Sequence, residues 1–151
     1  MKVLRTPEER FNHLVDFPFP ANYLDIDDED GGNLRMHYID EGVPDGEPVL
    51  CMHGQPNWSY SFRKMIIPLV EAGFRVIVPD IVGFGRSDKP TKRSDYTFSR
   101  HVAWLRHFIE GLDLKSINLI AQDWGGPIAL RNVADMPERF ARILVTNTGL
   151  G

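Results

Sequence analysis

The residue best suited to chemistry in this sequence is Asp123. An apolar run from Ile117 to Ala121 stops at Gln122, and Asp123-Trp124-Gly125-Gly126 then opens a helical pattern. This is the layout of a nucleophile elbow, a tight strand-to-helix turn that exposes a reactive side chain. A carboxylate in that position can displace a leaving group from an alkyl carbon and form an ester, whereas a serine would attack an acyl carbon.

A simpler interpretation is that Asp123 only caps the following helix. Aspartate is among the preferred N-cap residues, because its side chain accepts hydrogen bonds from the free amides of the first turn. The motif alone leaves these two interpretations close, and the neighbouring loops decide between them.

Two other polar loops also follow predicted strands. One runs from His53 to Trp58, directly after the strand Pro48 to Met52, and the other runs from Asp80 to Asp88, after the apolar run Phe74 to Val78. Ligands of a parallel sheet bind beyond the carboxyl ends of its strands, so the three loops are expected to meet at one rim. Turn chemistry explains each loop separately, since Gly, Pro, Asn and Asp dominate turns.

The loop at His53 has a predicted role as a hydrogen-bond donor. An oxyanion hole at an elbow uses the amide of the residue after the nucleophile and a second amide from a loop that follows another strand. By position these two amides belong to Trp124 and Gln55. Gly54 and Pro56 would shape the loop so that an amide points inward, and His53 is predicted to be a structural hydrogen-bonding residue rather than a base.

Cofactor and metal sites are poorly supported. Gly83-x-Gly85 lacks the third glycine of a dinucleotide fingerprint, because position 88 is aspartate. His101 and His107 match no metal-ligand spacing and are expected on a partly exposed helix face. We therefore expect no cofactor and no metal.

Composition is that of an ordinary soluble domain. The 151 residues are 42% hydrophobic and 25% charged, which suits one domain with a substantial core. The net charge of -4 does not predict a positively charged surface that would bind nucleic acid or an anionic membrane. The single Cys51 excludes an internal disulfide, fits a reducing compartment and is expected to be a small buried hydrophobe. Without a signal-like or membrane-spanning stretch, a cytoplasmic location is expected.

The elements that must position the three loops alternate between strands and helices. Strands are predicted at Leu34 to Tyr38, Pro48 to Met52, Phe74 to Val78, Ile117 to Ala121 and Ile143 to Thr146. Helical spacing is found at Phe62 to Val70, Val102 to Leu112 and after the elbow as far as Ala134. Pro68 is expected to split the first helix, a short helix is expected at Pro7 to Glu9, and Asp25 to Asp30 is expected to be a solvated turn. This alternation predicts an α/β domain whose mostly parallel sheet is flanked by helices.

Together the motifs resemble the haloalkane dehalogenases of the α/β-hydrolase fold. The segments that carry the resemblance are His53-Gly54-Gln55-Pro56-Asn57-Trp58-Ser59-Tyr60, Phe62-Arg63-Lys64-Met65, Gly83-Phe84-Gly85-Arg86-Ser87-Asp88-Lys89-Pro90, Asp95-Tyr96-Thr97-Phe98 and Gln122-Asp123-Trp124-Gly125-Gly126. The resemblance covers essentially all of residues 1–151. It implies the N-terminal part of an α/β-hydrolase core domain, without the cap domain and the C-terminal part.

The resemblance implies hydrolysis of a carbon–halogen bond in two steps, with a small haloalkane, water and halide as the small-molecule partners. Asp123 would attack the halogen-bearing carbon and form an alkyl ester, and a histidine would then activate water against that ester. The amides of Gln55 and Trp124 would hold the oxyanion. The Trp124 indole would donate to the departing halide. Gln55 is the second candidate halide donor, although the family's usual residue there is Glu or Asn.

The acid and the base of the family are not assigned in this sequence. All five histidines precede Asp123, and the position 24 residues beyond it, where some members carry the acid, is Asn147. We therefore expect negligible turnover from the 151 residues alone. An epoxide hydrolase and a truncated non-catalytic protein are the alternatives, whereas a serine esterase lacks its nucleophile. A half sheet would expose apolar surface, so pairing with a complementary fragment or self-association is expected.

Overall fold

A computed structural model describes residues 1–28 and 30–149 and contains eight strands and three α-helices. The strands are β1 (Val3–Leu4), β2 (Asn22–Asp27), β3 (Asn33–Gly42), β4 (Pro48–Met52), β5 (Arg75–Pro79), β6 (Lys89–Pro90), β7 (Ile117–Gln122) and β8 (Phe140–Thr146). The helices are α1 (Arg63–Glu71), α2 (Phe98–Gly111) and α3 (Gly125–Asp135). A 3-10 turn at Glu8–Phe11 lies where a short leading helix was predicted. Glu29, Leu150 and Gly151, which include the point where a cap was expected to follow, lie outside the described residues.

Six of the strands form one sheet in the order β2-β3-β5-β4-β7-β8. Strands β5, β4, β7 and β8 run parallel to one another, and β3 and β2 are added antiparallel at one edge. β1 and β6 form a separate two-stranded ribbon. The predicted α/β class with a mostly parallel sheet is confirmed, because helices cover both faces of the parallel strands and the chain crosses over through them.

The core consists of two apolar layers on opposite faces of the sheet. Successive residues of β4 alternate between them: Leu50 and Met52 pack in the layer that includes α2, whereas Val49 and Cys51 pack in the layer that includes α1. Every one of these four side chains is buried. The expectation that Cys51 is a small buried hydrophobe is thereby confirmed, and burial raises the pKa of its thiol to about 12.

The expectation that Pro68 splits the first helix is wrong. Helix α1 runs continuously from Arg63 to Glu71 with Pro68 inside it. A proline removes the hydrogen bond to the carbonyl four residues earlier, which here belongs to Lys64. Both Lys64 and Pro68 are exposed, so water can satisfy that carbonyl and the helix can continue.

The expectation of a solvated turn at Asp25 to Asp30 is also wrong in part. Asp25 and Asp27 belong to β2, which pairs with β3. The Asp28 side chain is buried and accepts a 3.0 Å hydrogen bond from the Trp104 indole. These acids are compatible with a strand because β2 is the edge strand, where outward-facing charged side chains are accommodated.

Among the residues that the structure describes, no helix has the length and apolar character required to cross a membrane.

Candidate active site

Asp123 lies on a tight turn between the end of β7 and the start of α3. Its φ of +49° lies in the left-handed region, which non-glycine residues seldom adopt. The Gly126 amide donates a 3.0 Å hydrogen bond to the Asp123 carbonyl across the turn. A Cβ at residue 125 would overlap the carbonyl oxygens of Met52 and His53. The glycine therefore lets α3 begin directly against the end of β4, which brings the turn next to the His53 loop.

The Gln55 amide and the Asp123 carboxylate meet at this point. Gln55 N–H donates a 2.8 Å hydrogen bond to Oδ1 of Asp123. A Cβ at residue 54 would overlap the Asp123 carboxylate, so only glycine allows this approach. Two residues singled out from separate sequence motifs are thus in direct contact. Asp123 itself is half-buried and Gln55 is exposed, so the contact lies at the surface of the sheet's carboxyl edge.

Trp124, the third residue singled out from the sequence, directs its side chain to the same edge. Its side chain is 51% exposed, a large fraction for a tryptophan. Among residues 1–28 and 30–149, none accepts a hydrogen bond from its amide or its indole N–H.

A cavity of about 390 Å³ opens beside Trp124 and Gln55. It is bounded by Trp124 and the first turn of α3, by the two loops that follow β4 and β5, and by the start of α2. Asp123 does not line this cavity but borders an open groove on the other side of Trp124, together with Asn147 and Thr148. The lining residues are Gly54, Gln55, Ile81, Gly83, Phe84, Tyr96, Thr97, Phe98, His101, Trp124 and Ile128. The wall is largely apolar and aromatic, and its polar side chains are Gln55 beside Trp124 and Tyr96, Thr97 and His101 around the start of α2. Such a cavity suits a small apolar ligand with one polar end.

His53 is fully buried and ties two of the site loops together. Its Nδ1 lies 2.9 Å from the Gly54 carbonyl, and its Nε2 accepts a 2.9 Å hydrogen bond from the Ile81 amide. These partners fix the tautomer with the proton on Nδ1. Burial lowers the pKa of the imidazole, so it is neutral at neutral pH. The predicted structural role of His53 is confirmed, because both ring nitrogens are occupied by the main chain.

The loop from Asp80 to Asp88 is organised around the Asp80 carboxylate. Asp80 is completely buried and accepts hydrogen bonds of 2.8 Å from His37 Nδ1 and from the amides of Ser59 and Arg86. Burial by itself would raise the pKa of Asp80, but these bonds, above all the one from His37, hold it below the ordinary value. Asp80 therefore fixes the loops that carry Ile81 and Phe84 into the cavity wall.

No sequence pattern singled out the partnership of His37 and Asp80. His37 falls on the more polar face of the alternating strand β3, so the pattern does not indicate that it is buried and needs a partner. His101 lies on a partly exposed helix face, as predicted. The sequence does not indicate that its side chain also lines the cavity. Burial lowers the pKa of His101 to about 4. Its ring packs edge-on against Trp104 with 4.9 Å between centroids.

Within the described part of the chain, no group of three histidine, cysteine or acidic side chains is placed to hold a metal ion.

The sheet, the tight turn at Asp123 and the loop geometry agree with a family assignment. A family model described as alpha/beta hydrolase fold matches residues 47–150, which include β4, β5, β7 and the Asp123 turn. The chain belongs to the α/β-hydrolase family.

Within that family the chain is similar to haloalkane dehalogenases. It is 55% identical over 150 residues to a haloalkane dehalogenase of Psychrobacter cryohalolentis, and the match covers 99% of this chain and 50% of that protein. The tetrameric structure of haloalkane dehalogenase DpaA from Paraglaciecola agarilytica superposes with a TM-score of 0.94 at 50% identity, covering 100% of this chain and 50% of that one. The chain thus spans about half the length of the relatives it matches.

An epoxide hydrolase has the same fold at greater distance. The structure of an epoxide hydrolase variant from Vigna radiata superposes with a TM-score of 0.70 at 29% identity, covering 83% of this chain and 38% of that one. The sequence resemblance to haloalkane dehalogenases is therefore much the stronger of the two.

Proposed function

We propose that Asp123 is the nucleophile of a haloalkane dehalogenase reaction. The observation that carries the proposal is the 2.8 Å bond from the Gln55 amide to Asp123 Oδ1. An aspartate that only capped α3 would turn its carboxylate towards the first-turn amides of that helix. The carboxylate instead receives an amide from a different loop, and no side-chain cap is formed at the start of α3.

The bond to Gln55 distinguishes the two carboxylate oxygens. Oδ1 is held by the amide, so Oδ2 is the oxygen free to attack. Oδ2 forms a bond to the alkyl carbon as the carbon–halogen bond breaks, and halide departs with the bonding electrons. Oδ1 then becomes the carbonyl oxygen of an alkyl ester. It already lies where an amide donor would stabilise the negative charge that develops when water attacks that ester.

Trp124 supplies the other donors of the proposed mechanism. Its amide, which has no partner among the described residues, joins that of Gln55 as the second oxyanion donor. The indole N–H of its half-exposed side chain donates to the leaving halide. Halide is a weak base that needs hydrogen bonds rather than a proton, so an indole is sufficient. The Gln55 side chain, which is exposed at the same edge, is the second candidate halide donor.

The proposed substrate is a small haloalkane. The largely apolar cavity of about 390 Å³ would receive its alkyl chain, with the carbon–halogen end beside Trp124. An anionic substrate would have no counter-ion there, because none of the lining side chains carries a positive charge at neutral pH.

Hydrolysis of the ester requires a base that these residues do not supply. His53 uses both ring nitrogens on the main chain, and the sequence contains no histidine after Asp123. His101 borders the cavity, but burial lowers its pKa to about 4, which makes it a weak base. We therefore propose that the 151-residue chain performs the first half-reaction and then retains the alkyl ester.

The test is stoichiometric halide release by the 151-residue chain. It is incubated with excess 1-bromobutane, free bromide is measured by ion chromatography, and the intact protein is weighed by mass spectrometry. We expect up to one bromide per chain and one butyl group, which peptide mapping places on Asp123. Asp123→Asn should give neither. The proposal fails if the wild-type chain gains no butyl group, or if the Asn variant gains it equally.

The same assay distinguishes the epoxide alternative. An epoxide leaves as an alkoxide, which is strongly basic and needs a proton donor. A hydroxyalkyl adduct formed with styrene oxide, without any butyl adduct from 1-bromobutane, would assign the chain to the epoxide-opening class.

We also propose that apolar surface on β8 is covered by another polypeptide, either a complementary part of the fold or a second copy. Strand β8 is at the edge of the sheet, and Ile143 and Leu144 are 48% and 57% exposed. Sedimentation of the 151-residue chain at several concentrations tests self-association. A cytoplasmic location and the lack of nucleic-acid and membrane partners stay predictions from the sequence.

A further inference from the structure

The turn that follows β8 contacts both backbone polar groups of Asp123. The Asp123 amide donates a 3.1 Å hydrogen bond to the Asn147 carbonyl. The Thr148 hydroxyl donates a 2.6 Å hydrogen bond to the Asp123 carbonyl, which also accepts from Gly126 N–H at 3.0 Å. Residues 147 and 148 thus hold the main chain of Asp123 from the turn that follows the neighbouring strand β8.

Such support matters because Asp123 has an unfavourable backbone conformation. A φ of +49° is uncommon for a residue with a side chain, and it persists where surrounding contacts hold it in place. Thr148 also packs directly on the start of α3, since a Cβ at residue 126 would overlap its side chain. The hydroxyl is therefore fixed by packing as well as by its hydrogen bond.

We infer that Thr148 is a positioning residue for Asp123. Its hydroxyl holds the Asp123 carbonyl and thereby fixes the direction in which the carboxylate leaves the turn, towards the Gln55 amide. The bond goes to the main chain, so Thr148 acts through Asp123 and does not touch the substrate. The catalytic consequence of this inference rests on the proposed function, whereas its structural consequence does not.

The first test is the rate at which bromoalkane alkylates Asp123 in the full 151-residue chain. Thr148→Val keeps the shape of the side chain and removes the hydroxyl. We expect its limiting alkylation rate to fall about tenfold, which corresponds to ~1.4 kcal/mol, with a half-saturating bromoalkane concentration within about twofold of wild type. Thr148→Ser keeps the hydroxyl and should recover most of the rate.

A matched control removes a hydroxyl two residues away. The Thr146 hydroxyl bonds the Asn147 side chain, with 3.0 Å between the oxygens, and not the backbone of Asp123. Thr146→Val should therefore alkylate at the wild-type rate. An equal loss in Thr146→Val and Thr148→Val would overturn the inference, because the effect would then belong to the whole turn.

The second test does not depend on activity. Amide hydrogen exchange at residues 123–126 should become about fivefold faster or more in Thr148→Val, with β4 and β7 unchanged and Thr148→Ser close to wild type. If the wild-type chain does not alkylate but this local loosening is seen, the proposed function fails and the positioning role stands. Unchanged exchange at residues 123–126, or an equal loss of protection throughout the sheet, would overturn the positioning role.

Discussion

The amide of Gln55 donates a 2.8 Å hydrogen bond to the carboxylate of Asp123, although the two residues are 68 positions apart in the sequence. The bond exists because β4 and β7 are adjacent parallel strands, so the loops at their carboxyl ends leave the sheet side by side. It links a donor that is fixed by the main chain to a carboxylate on a strained turn. In the proposed reaction this amide would already be in place before a substrate binds, so it would stabilise the developing charge without any rearrangement of its loop.

The close approach of these two loops predicts that Gly54→Ala strongly slows the alkylation of Asp123. The new Cβ would overlap the Asp123 carboxylate, which would have to rotate away from the Gln55 amide. A displacement of about 1 Å at a reacting group can lower a rate by about 100-fold, and we expect at least that loss in the alkylation rate. Stopped-flow or quenched measurement of bromide release gives the rate.

Gly111→Ala is the matched control for that substitution. Gly111 is the last residue of α2, and a Cβ there meets only the flexible end of the Leu24 side chain, at 2.9 Å. Its alkylation rate should equal that of wild type. If Gly54→Ala alkylates as fast as Gly111→Ala, the carboxylate does not need the geometry seen in the structure.

The proposed role of the Trp124 indole predicts that Trp124→Phe slows alkylation by hindering the departure of halide. The substitution keeps an aromatic side chain on the exposed edge but removes the indole N–H. Loss of one fixed donor to a developing anion lowers a rate by about 100-fold, so we expect alkylation to slow by about that factor. The loss should be greater for chloroalkanes than for bromoalkanes, because chloride is the poorer leaving group.

Fluorescence titration with bromide provides the binding counterpart. Halide bound at Trp124 should quench its emission in the wild-type chain, and the saturable part of that quenching should disappear in Trp124→Phe. Equal saturable quenching in the two proteins would place the halide elsewhere.

The contact between Gln55 and Asp123 could be predicted from the sequence because both residues follow short apolar strands. Parallel strands bring such loops to one edge of the sheet. Gly54 and Gly125 mark the positions where the two loops approach each other too closely for a side chain. The pair His37 and Asp80 could not be predicted in this way. It depends on β3 being added antiparallel beside β5, a pairing that leaves no local mark in the sequence.

Three other features could not be predicted from the sequence, for related reasons. The strand character of Asp25 to Asp27 is masked by charge, since an edge strand can be acidic where a central strand cannot. The position of His101 at the cavity depends on how α2 is rotated about its axis. The contact of Thr148 with Asp123 depends on the register of β8 against β7. Each of these is set by tertiary packing, which periodicity alone does not specify.

The buried Asp80 carboxylate predicts a large loss of stability in Asp80→Asn. Replacing the charge leaves His37 and two buried amides with a poorer acceptor, and breaking a buried pair of this kind costs about 3 kcal/mol in the free energy of unfolding. Urea unfolding at neutral pH measures the loss. Asp40→Asn is the control, because Asp40 accepts from Arg75 at a half-buried site and should cost about 1 kcal/mol.

The pH dependence of that loss has a definite sign. The pKa of Asp80 is lowered in the folded state, so its ionised form stabilises the fold above the pKa of the unfolded chain, about 4. This contribution is lost as the pH falls through the lower, folded-state pKa. The difference between wild type and Asp80→Asn should therefore narrow below about pH 4. A difference that stays constant down to acid unfolding would contradict the assignment.

His101 predicts a pH effect in a different range. Burial lowers its pKa to about 4 in the folded protein, whereas an unfolded histidine titrates near 6.5. Between these two values the unfolded chain binds more protons than the folded chain, so the free energy of unfolding must fall as the pH falls from about 6.5 towards 4.

His101→Gln keeps a neutral polar side chain and removes the titration. We expect wild type to lose about 2 kcal/mol more than the variant between about pH 7 and pH 4.5, measured by urea unfolding at each pH. His13→Gln serves as the matched control at an exposed position and should follow wild type. If His101→Gln and wild type lose stability in parallel, the imidazole beside the cavity is not shielded from water, and the cavity is more open than the structure describes.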